Sequence, residues 1–171
     1  MLLKTKKDML IMNATIMLII NAIYMIVVAI NGMSFVTFSG FEVPINANLM
    51  VLLYILSLLL NMYIYALSKK ELNKKIKSIV TVLLITNAII GMAGAISVLS
   101  IMSVALLYSS IDSQKEIETK VLRKYIILGC LIGMVLSFLI GCMSSNWFIA
   151  ICEGMLIGIS IFANIAFIKV K

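Results

Sequence analysis

Long apolar runs separated by short basic stretches are the main pattern of this chain. Segments of roughly 17 to 25 mainly apolar residues predict membrane-spanning helices. Four such segments are plain, at residues 9–30, 49–67, 125–143 and 147–168. Polar and apolar residues do not alternate with a period of two in these runs, which favours helices over strands. We therefore expect an all-α integral membrane protein.

A fifth apolar stretch, residues 79–109, has an ambiguous length. As one straight helix it would be about 46 Å long, well over the roughly 30 Å of a hydrocarbon layer. It is also short for two full crossings. Length alone leaves both paths open.

The fourteen Lys and Arg residues decide between these paths. They fall in four clusters, within residues 4–7, 69–77, 115–124 and 169–171. A single crossing by residues 79–109 would place the first two clusters opposite the last two, whereas an in-and-out path places all four on one side. Short loops rich in Lys and Arg face the cytoplasm, so the in-and-out path is favoured.

The sequence "GMAG" at residues 91–94 is the natural place for this path to turn, because glycine permits tight turns and close packing. We predict arms at residues 76–91 and 95–110, forming either a re-entrant hairpin or two short helices. The result is a compact bundle of six membrane segments in a single domain, residues 1–171. Both termini are expected in the cytoplasm, and the cell membrane is the expected location.

Composition supports a membrane protein whose main partner is the lipid bilayer. Hydrophobic residues make up 63% of the chain and charged residues 12%, against roughly a quarter charged in soluble domains. The mean hydropathy is +1.18. The formal net charge is +7. The basic residues responsible for it lie in short clusters between apolar runs, which indicates a role in membrane topology rather than nucleic-acid binding. Contact of the basic loops with anionic head groups is a second use of the same charge.

The predicted outer segment, residues 31–48, leaves two interpretations open. Its Gly and Pro favour a connecting loop with scattered aromatic residues. Phe35, Phe38 and Phe41 recur every three residues, which would also suit a short element lying in the membrane interface.

Residue types needed for familiar catalysis are missing. The chain has no His, and its plain spans hold neither a pair of carboxylates nor a GxxxxGK phosphate loop. Cys130, Cys142 and Cys152 lie in apolar runs without a CxxC pair, so we expect small apolar fillers. We predict a protein that is not an enzyme and has no cofactor and no metal site.

A polar seam follows the last apolar segment. Asn146, Glu153, Ser160 and Asn164 fall within about 20° of one line on a helix. An ionisable group inside a membrane is costly and is a candidate for binding an ion, a proton or a solute. The alternative is a neutral or hydrogen-bonded Glu153 that fastens this helix to a neighbour.

A second seam follows the helix predicted at residues 49–67, and Asn87 lies just before the predicted turn. The second seam contains Tyr54, Ser57, Asn61, Tyr65 and Ser68, within about 40° of one line on the helix. Such groups either line a cavity or bond helix to helix. The candidate polar site comprises Glu153, Asn61, Asn87, Ser160 and Asn164.

Small residues recur every fourth position on the last two predicted helices. They are Gly129, Gly133, Ser137, Gly141 and Ser145 on the first helix, and Ala150, Gly154 and Gly158 on the second. Stripes of this kind let helix backbones approach closely. We predict a tight antiparallel hairpin of these two helices; self-association with another copy is the rival use.

Two functional hypotheses follow. The first is a solute- or ion-binding component of a membrane transport system, because short or Gly-interrupted segments often mark transport sites. The second is a noncatalytic membrane-complex subunit, assembly factor or immunity-type protein that binds another membrane protein through its helices. A water-accessible cavity at Asn61, Asn87 and Glu153 would favour the first, and an exposed Gly stripe the second.

Overall fold

The structure is a computed structural model that describes residues 4–31, 35–38, 41–44, 47–90, 94–109, 116–143 and 147–170. Within these ranges the chain forms six helices and one pair of strands. The elements in chain order are α1 (Lys6–Asn31), β1 (Phe35–Phe38), β2 (Phe41–Pro44), α2 (Ala47–Ser68), α3 (Lys74–Ile90), α4 (Gly94–Tyr108), α5 (Thr119–Met143) and α6 (Trp147–Ile168).

Three helices contain apolar stretches long enough to cross a membrane. The stretches are Val51–Ser68 in α2, Thr119–Cys142 in α5 and Ala150–Ile168 in α6. The apolar part of α4, Ile96–Tyr108, is shorter. These stretches were identified within the described residues. They agree with the prediction of a helical membrane protein.

The stretch of ambiguous length contains two helices, since α3 ends at Ile90 and α4 begins at Gly94. At 1.5 Å per residue they are about 25 and 22 Å long. The Ser97 hydroxyl of α4 donates a hydrogen bond to the Ala88 carbonyl of α3 at 2.9 Å. The middle of the predicted turn, residues 91–93, lies outside the described residues.

A two-stranded antiparallel hairpin occupies part of the predicted outer segment. Its register pairs Phe35 with Pro44 and Phe38 with Phe41. The sequence pattern did not predict these strands, because Gly and Pro favour an irregular connection. Two runs of four residues are too short for a clear alternating pattern.

Side-chain caps explain where two of the helices begin. Thr5 and Asp8 form a capping box at the start of α1: the Thr5 amide donates to Asp8 Oδ2 at 2.9 Å, and the Asp8 amide donates to Thr5 Oγ1 at 3.3 Å. At α3 the Ile76 amide donates to Asn73 Oδ1 at 2.9 Å. Asn73 is therefore the N-cap of α3.

The chain divides into two compact units. Unit 1 comprises Met1–Leu10 and Met102–Lys171, and unit 2 comprises Ile11–Ile101. The boundaries fall inside α1 and α4. The prediction of a single membrane domain stays a prediction.

In unit 1, α5 and α6 pack closely as an antiparallel pair. A Cβ added to Gly129 would lie 2.8 Å from the Gly158 carbonyl oxygen, and one added to Gly133 would lie 3.0 Å from Met155 Cα. A Cβ on Gly154 would collide with the backbone of Ser137. Side chains larger than hydrogen do not fit at these points, so glycine allows the two backbones to touch.

The N-terminus is fastened to the end of α4 and to the residues before α5, all within unit 1. Lys6 is buried, and its Nζ donates to the Ser109 carbonyl at 3.0 Å and to the Ser109 hydroxyl at 3.1 Å. The Ile117 amide donates to the Lys4 carbonyl at 3.2 Å, and Lys4 Nζ lies 3.6 Å from Glu116 Oε1. Lys6 thus binds carbonyl and hydroxyl oxygens at a helix C-terminus, where a cation is favourable.

Candidate functional site

Asn87 of α3 lies at the centre of a hydrogen-bonded junction in unit 2. Its Oδ1 accepts a 2.6 Å bond from the Ser57 hydroxyl of α2. Its Nδ2 donates to Asn61 Oδ1 of α2 at 2.8 Å and to Ser100 Oγ of α4 at 3.1 Å. One amide therefore binds both neighbouring helices.

Helix α1 joins the same junction through two residues. Asn21 Nδ2 donates to the Ser57 hydroxyl at 2.9 Å. The Met17 sulfur accepts from the Ser100 hydroxyl at 3.2 Å and lies 3.7 Å from Asn87 Nδ2. We call this set the Asn87 junction. Its members are Met17, Asn21, Ser57, Asn61, Asn87 and Ser100.

The junction is fully enclosed by protein, since each of its six residues is at most 1% exposed. Two of its polar atoms nevertheless have no hydrogen-bond partner among the described residues: Asn21 Oδ1 and Asn61 Nδ2. The first is an acceptor and the second a donor. An unpaired buried polar atom costs roughly 1–3 kcal/mol, so the junction has one unfilled acceptor and one unfilled donor.

The position of these side chains follows from helical periodicity. Tyr54, Ser57, Asn61 and Ser68, four members of the predicted seam on α2, are buried, while Tyr65 is half-buried. Ser57 and Asn61 are four positions apart and lie on one face of the helix. On α1, Met17 and Asn21 have the same spacing. One turn from each helix therefore meets Asn87.

The chemistry of the junction is that of neutral donors and acceptors. Its polar groups are three amides, two hydroxyls and one thioether, with no ionisable member. No group of three or more His, Cys, Asp or Glu residues that could hold a metal ion occurs in the described parts of the chain. The junction suits an uncharged molecule that both donates and accepts hydrogen bonds.

The structure brings together two of the five predicted site residues, Asn61 and Asn87. The other three belong to α6 in unit 1. There Ser160 and Asn164 are buried, and Asn164 Nδ2 donates to the Ser160 carbonyl of its own helix at 2.8 Å. Asn146, the remaining member of the predicted α6 seam, lies outside the described residues.

Glu153 is half-buried on α6. Its carboxyl makes no hydrogen bond or ion pair with any residue in the ranges that the structure describes. It follows Cys152, which is exposed, and precedes Gly154, which is buried against α5. Its role as a site residue stays a prediction.

The predicted small-residue positions Gly129, Gly133, Ser137 and Gly141 are all buried on α5. The Ser137 hydroxyl donates to the Gly133 carbonyl at 2.7 Å and to the Ile151 carbonyl of α6 at 3.2 Å. A Cβ on Gly141 would collide with the Trp147 ring. This stripe therefore lies against α6 of the same chain.

Four residues of the junction lie outside the candidate set. Ser57 belongs to the predicted seam on α2, whereas Met17, Asn21 and Ser100 belong to neither predicted seam. Asn21 carries the clearest sequence signal of the three, because a buried amide inside an apolar helix requires a partner. Met17 is indistinguishable by sequence from the other apolar residues of α1.

No protein-family model, curated protein or solved structure matches this chain.

Proposed function

We propose that the protein is a component of a membrane transport system and binds a small uncharged polar solute at the Asn87 junction. The observation that carries the proposal is the pair of unfilled hydrogen-bonding atoms, Asn21 Oδ1 and Asn61 Nδ2, both buried. A junction that only held helices together would gain stability by pairing these atoms with each other or with neighbours.

The donor set favours an uncharged solute over an ion. A cation would have no carboxylate to neutralise it, and an anion would have no Lys or Arg, so either would enter at a large desolvation cost. A small amide or alcohol offers both a donor and an acceptor. Such a molecule could pair with Asn21 Oδ1 and Asn61 Nδ2 at the same time.

The place of Asn87 in the chain also supports a binding role. It lies in the last turn of α3, which ends at Ile90, and it contacts α4, which begins at Gly94. Helices that are short for a full crossing often mark sites near the middle of transporters. Both helices are shorter than the roughly 30 Å of a hydrocarbon layer, so a full crossing by either would require a thinned bilayer.

We further propose six membrane segments in the cell membrane, with both termini in the cytoplasm. The contacts of Lys6 with Ser109 and of Lys4 with Glu116 support this path. Residues in contact lie on the same side of a membrane, so the chain between Lys6 and Ser109 crosses an even number of times. This agrees with the distribution of Lys and Arg.

The solute-binding proposal is tested by a thiol-reactive amide. In a chain with Cys130, Cys142 and Cys152 replaced by Ala, Ser57→Cys places a thiol in the junction. Iodoacetamide should alkylate it at least tenfold faster than it alkylates Ser137→Cys, and excess acetamide should slow the reaction. Ser137 is the matched control because it is also a buried helical serine. Intact-mass spectrometry follows both reactions.

Equal, slow alkylation at both positions would contradict the proposal. It would identify the junction as a sealed helix fastener and favour the rival hypothesis of a noncatalytic membrane-complex subunit. Fast alkylation of Ser57→Cys that acetamide does not slow would show access without binding, which also contradicts a solute site.

The topology is tested by reporter fusions after residues 92 and 113. We expect the second reporter on the same side as Lys70 and the first on the other side or within the membrane. A reporter after residue 113 on the side opposite Lys70 would overturn the path.

A further inference from the structure

A pocket of about 440 Å³ lies between α5 and α6 in unit 1. It is lined by Lys124, Tyr125, Leu128, Phe162, Ile165 and Lys169. None of the six is acidic, and none belongs to the Asn87 junction.

The polar side of this pocket carries two positively charged side chains. Lys124 and Lys169 are exposed, and neither forms an ion pair with a residue in the described ranges. Lys169 Nζ lies 3.4 Å from the Tyr125 hydroxyl and 5.8 Å from the centroid of its ring. These groups offer two cations and a phenol hydroxyl to one anion, the arrangement that phosphate oxygens accept.

The other side of the pocket is apolar. Leu128 and Ile165 lie about one turn, and Phe162 about two turns, closer to the helix middle than the lysine near the end of the same helix. The order from helix end to helix middle is therefore cation, aromatic hydroxyl, hydrocarbon. A phospholipid has the same order, from phosphate to acyl chain.

We propose that this pocket binds one anionic phospholipid. The phosphate contacts Lys124, Lys169 and the Tyr125 hydroxyl, and the start of an acyl chain packs on Phe162 and its apolar neighbours. A free phosphate ion would use the cations but leave the apolar wall without a partner. Basic pockets at the ends of transmembrane helices are suited to lipids of the negatively charged cytoplasmic leaflet.

The test measures lipid binding by native mass spectrometry of the purified full chain in a neutral detergent. Dioleoyl phosphatidylglycerol should bind at least tenfold more tightly than dioleoyl phosphatidylcholine. The double variant Lys124→Gln/Lys169→Gln should weaken phosphatidylglycerol binding about thirtyfold, given the typical contribution of each basic residue near anionic lipid.

The matched control is Lys120→Gln/Arg123→Gln, which removes the same charge from exposed positions of α5 outside the pocket. It should change the affinity by less than about threefold, which is under 1 kcal/mol. Tyr125→Phe, which keeps the ring, should cause a smaller loss than the pocket double variant. Circular dichroism checks that each variant keeps its helices.

Two further arms separate lipid from free anion. Millimolar inorganic phosphate should not displace phosphatidylglycerol, and Phe162→Ala should weaken the lipid affinity. Equal losses in the two double variants would overturn the pocket in favour of general surface charge. Equal binding of the two lipids, or displacement by inorganic phosphate, would overturn it as well.

Discussion

Units 1 and 2 hold their helices together by different chemistry. In unit 2, four helices meet through amides and hydroxyls, with Asn87 bound to Ser57, Asn61 and Ser100. In unit 1, α5 and α6 approach until backbone atoms touch at Gly129 and Gly158. The contact in unit 2 depends on polar side-chain atoms. The contact in unit 1 depends on glycine, which has no side-chain heavy atom to keep the backbones apart.

This difference matters in a membrane, because lipid is as apolar as a Leu side chain and gives little hydrophobic drive for helix association. A side chain of similar size but no polar atoms should therefore damage unit 2. A larger apolar side chain should damage unit 1.

Gly158→Leu should have the largest effect, a loss of about 3 kcal/mol in unfolding free energy. Even a Cβ at this position would lie 2.6 Å from Gly133 Cα, so the two backbones must separate. Unfolding in sodium dodecyl sulfate, followed by fluorescence of Trp147 on α6, measures the change. Met134→Leu, on an exposed position of α5, is the control. A loss below 1 kcal/mol would mean that backbone contact does not hold this pair.

Asn87→Leu should cost about 2 kcal/mol, because it removes the hydrogen bonds to Ser57, Asn61 and Ser100 while keeping the same number and branching of side-chain heavy atoms. The matched control is Thr86→Val, one position along α3, where the hydroxyl bonds to Val82 of the same helix. Far-UV circular dichroism during detergent unfolding gives both values. Equal stability of the two variants would show that the hydrogen bonds of the junction do not stabilise unit 2.

Lys6→Met tests whether polar contacts also stabilise unit 1, because it removes the hydrogen bonds from Lys6 Nζ to Ser109. Burial lowers the pKa of the Lys6 ammonium, yet it is held by two oxygens of Ser109. We expect a loss of about 1.5 kcal/mol and faster hydrogen exchange at the end of α4. Lys7→Met is the control, since Lys7 is less buried. Unchanged exchange near Ser109 would show that this contact carries no stability.

The smallest effect is expected at Asp8 and depends on pH. Partial burial alone would raise its pKa, but hydrogen bonds from Thr5 and Lys4 and the charge of Lys7 lower the pKa below its ordinary value. A carboxyl shifted in this direction stabilises the folded state above its unfolded pKa of about 3.9 and stops doing so as pH falls through its folded pKa.

We therefore expect a loss of about 1 kcal/mol in α1 capping as pH falls below about 4. Asp8→Asn should flatten this part of the pH profile. Unfolding measured at several pH values checks it; a variant whose profile follows the unsubstituted chain would assign the acid sensitivity to another carboxyl.

The sequence predicted best the features that a single helix encodes. The spacing of four from Gly129 to Gly141 is visible without knowing any partner, and the structure places these glycines against α6. The division of residues 79–109 into two helices near Gly91 and Gly94 was also predicted, and α3 ends at Ile90 while α4 begins at Gly94. The membrane path inferred from Lys and Arg stays a prediction. The hairpin of β1 and β2 was missed, since short strands rich in aromatic residues, Gly and Pro resemble loops.

The Asn87 junction could be predicted only in part. Helical spacing grouped Ser57 with Asn61 on α2, but it could not say that Asn21, 36 residues before Ser57, would share the same hydroxyl. Which helices become neighbours is decided by packing between segments far apart in sequence. Glu153 was a predicted site residue because it is ionisable, whereas the junction contains only neutral amides, hydroxyls and a thioether.

The bond between Lys6 and Ser109 joins residues 103 positions apart. In a chain made from its N-terminus, α1 is synthesised long before α4 has left the ribosome. Lys6 must therefore keep water or lipid phosphate as a temporary partner during that interval. The bond to Ser109 can form only after α1 to α4 have been made. The time at which the first turn of α1 becomes protected from hydrogen exchange would therefore show when this part of the chain has assembled.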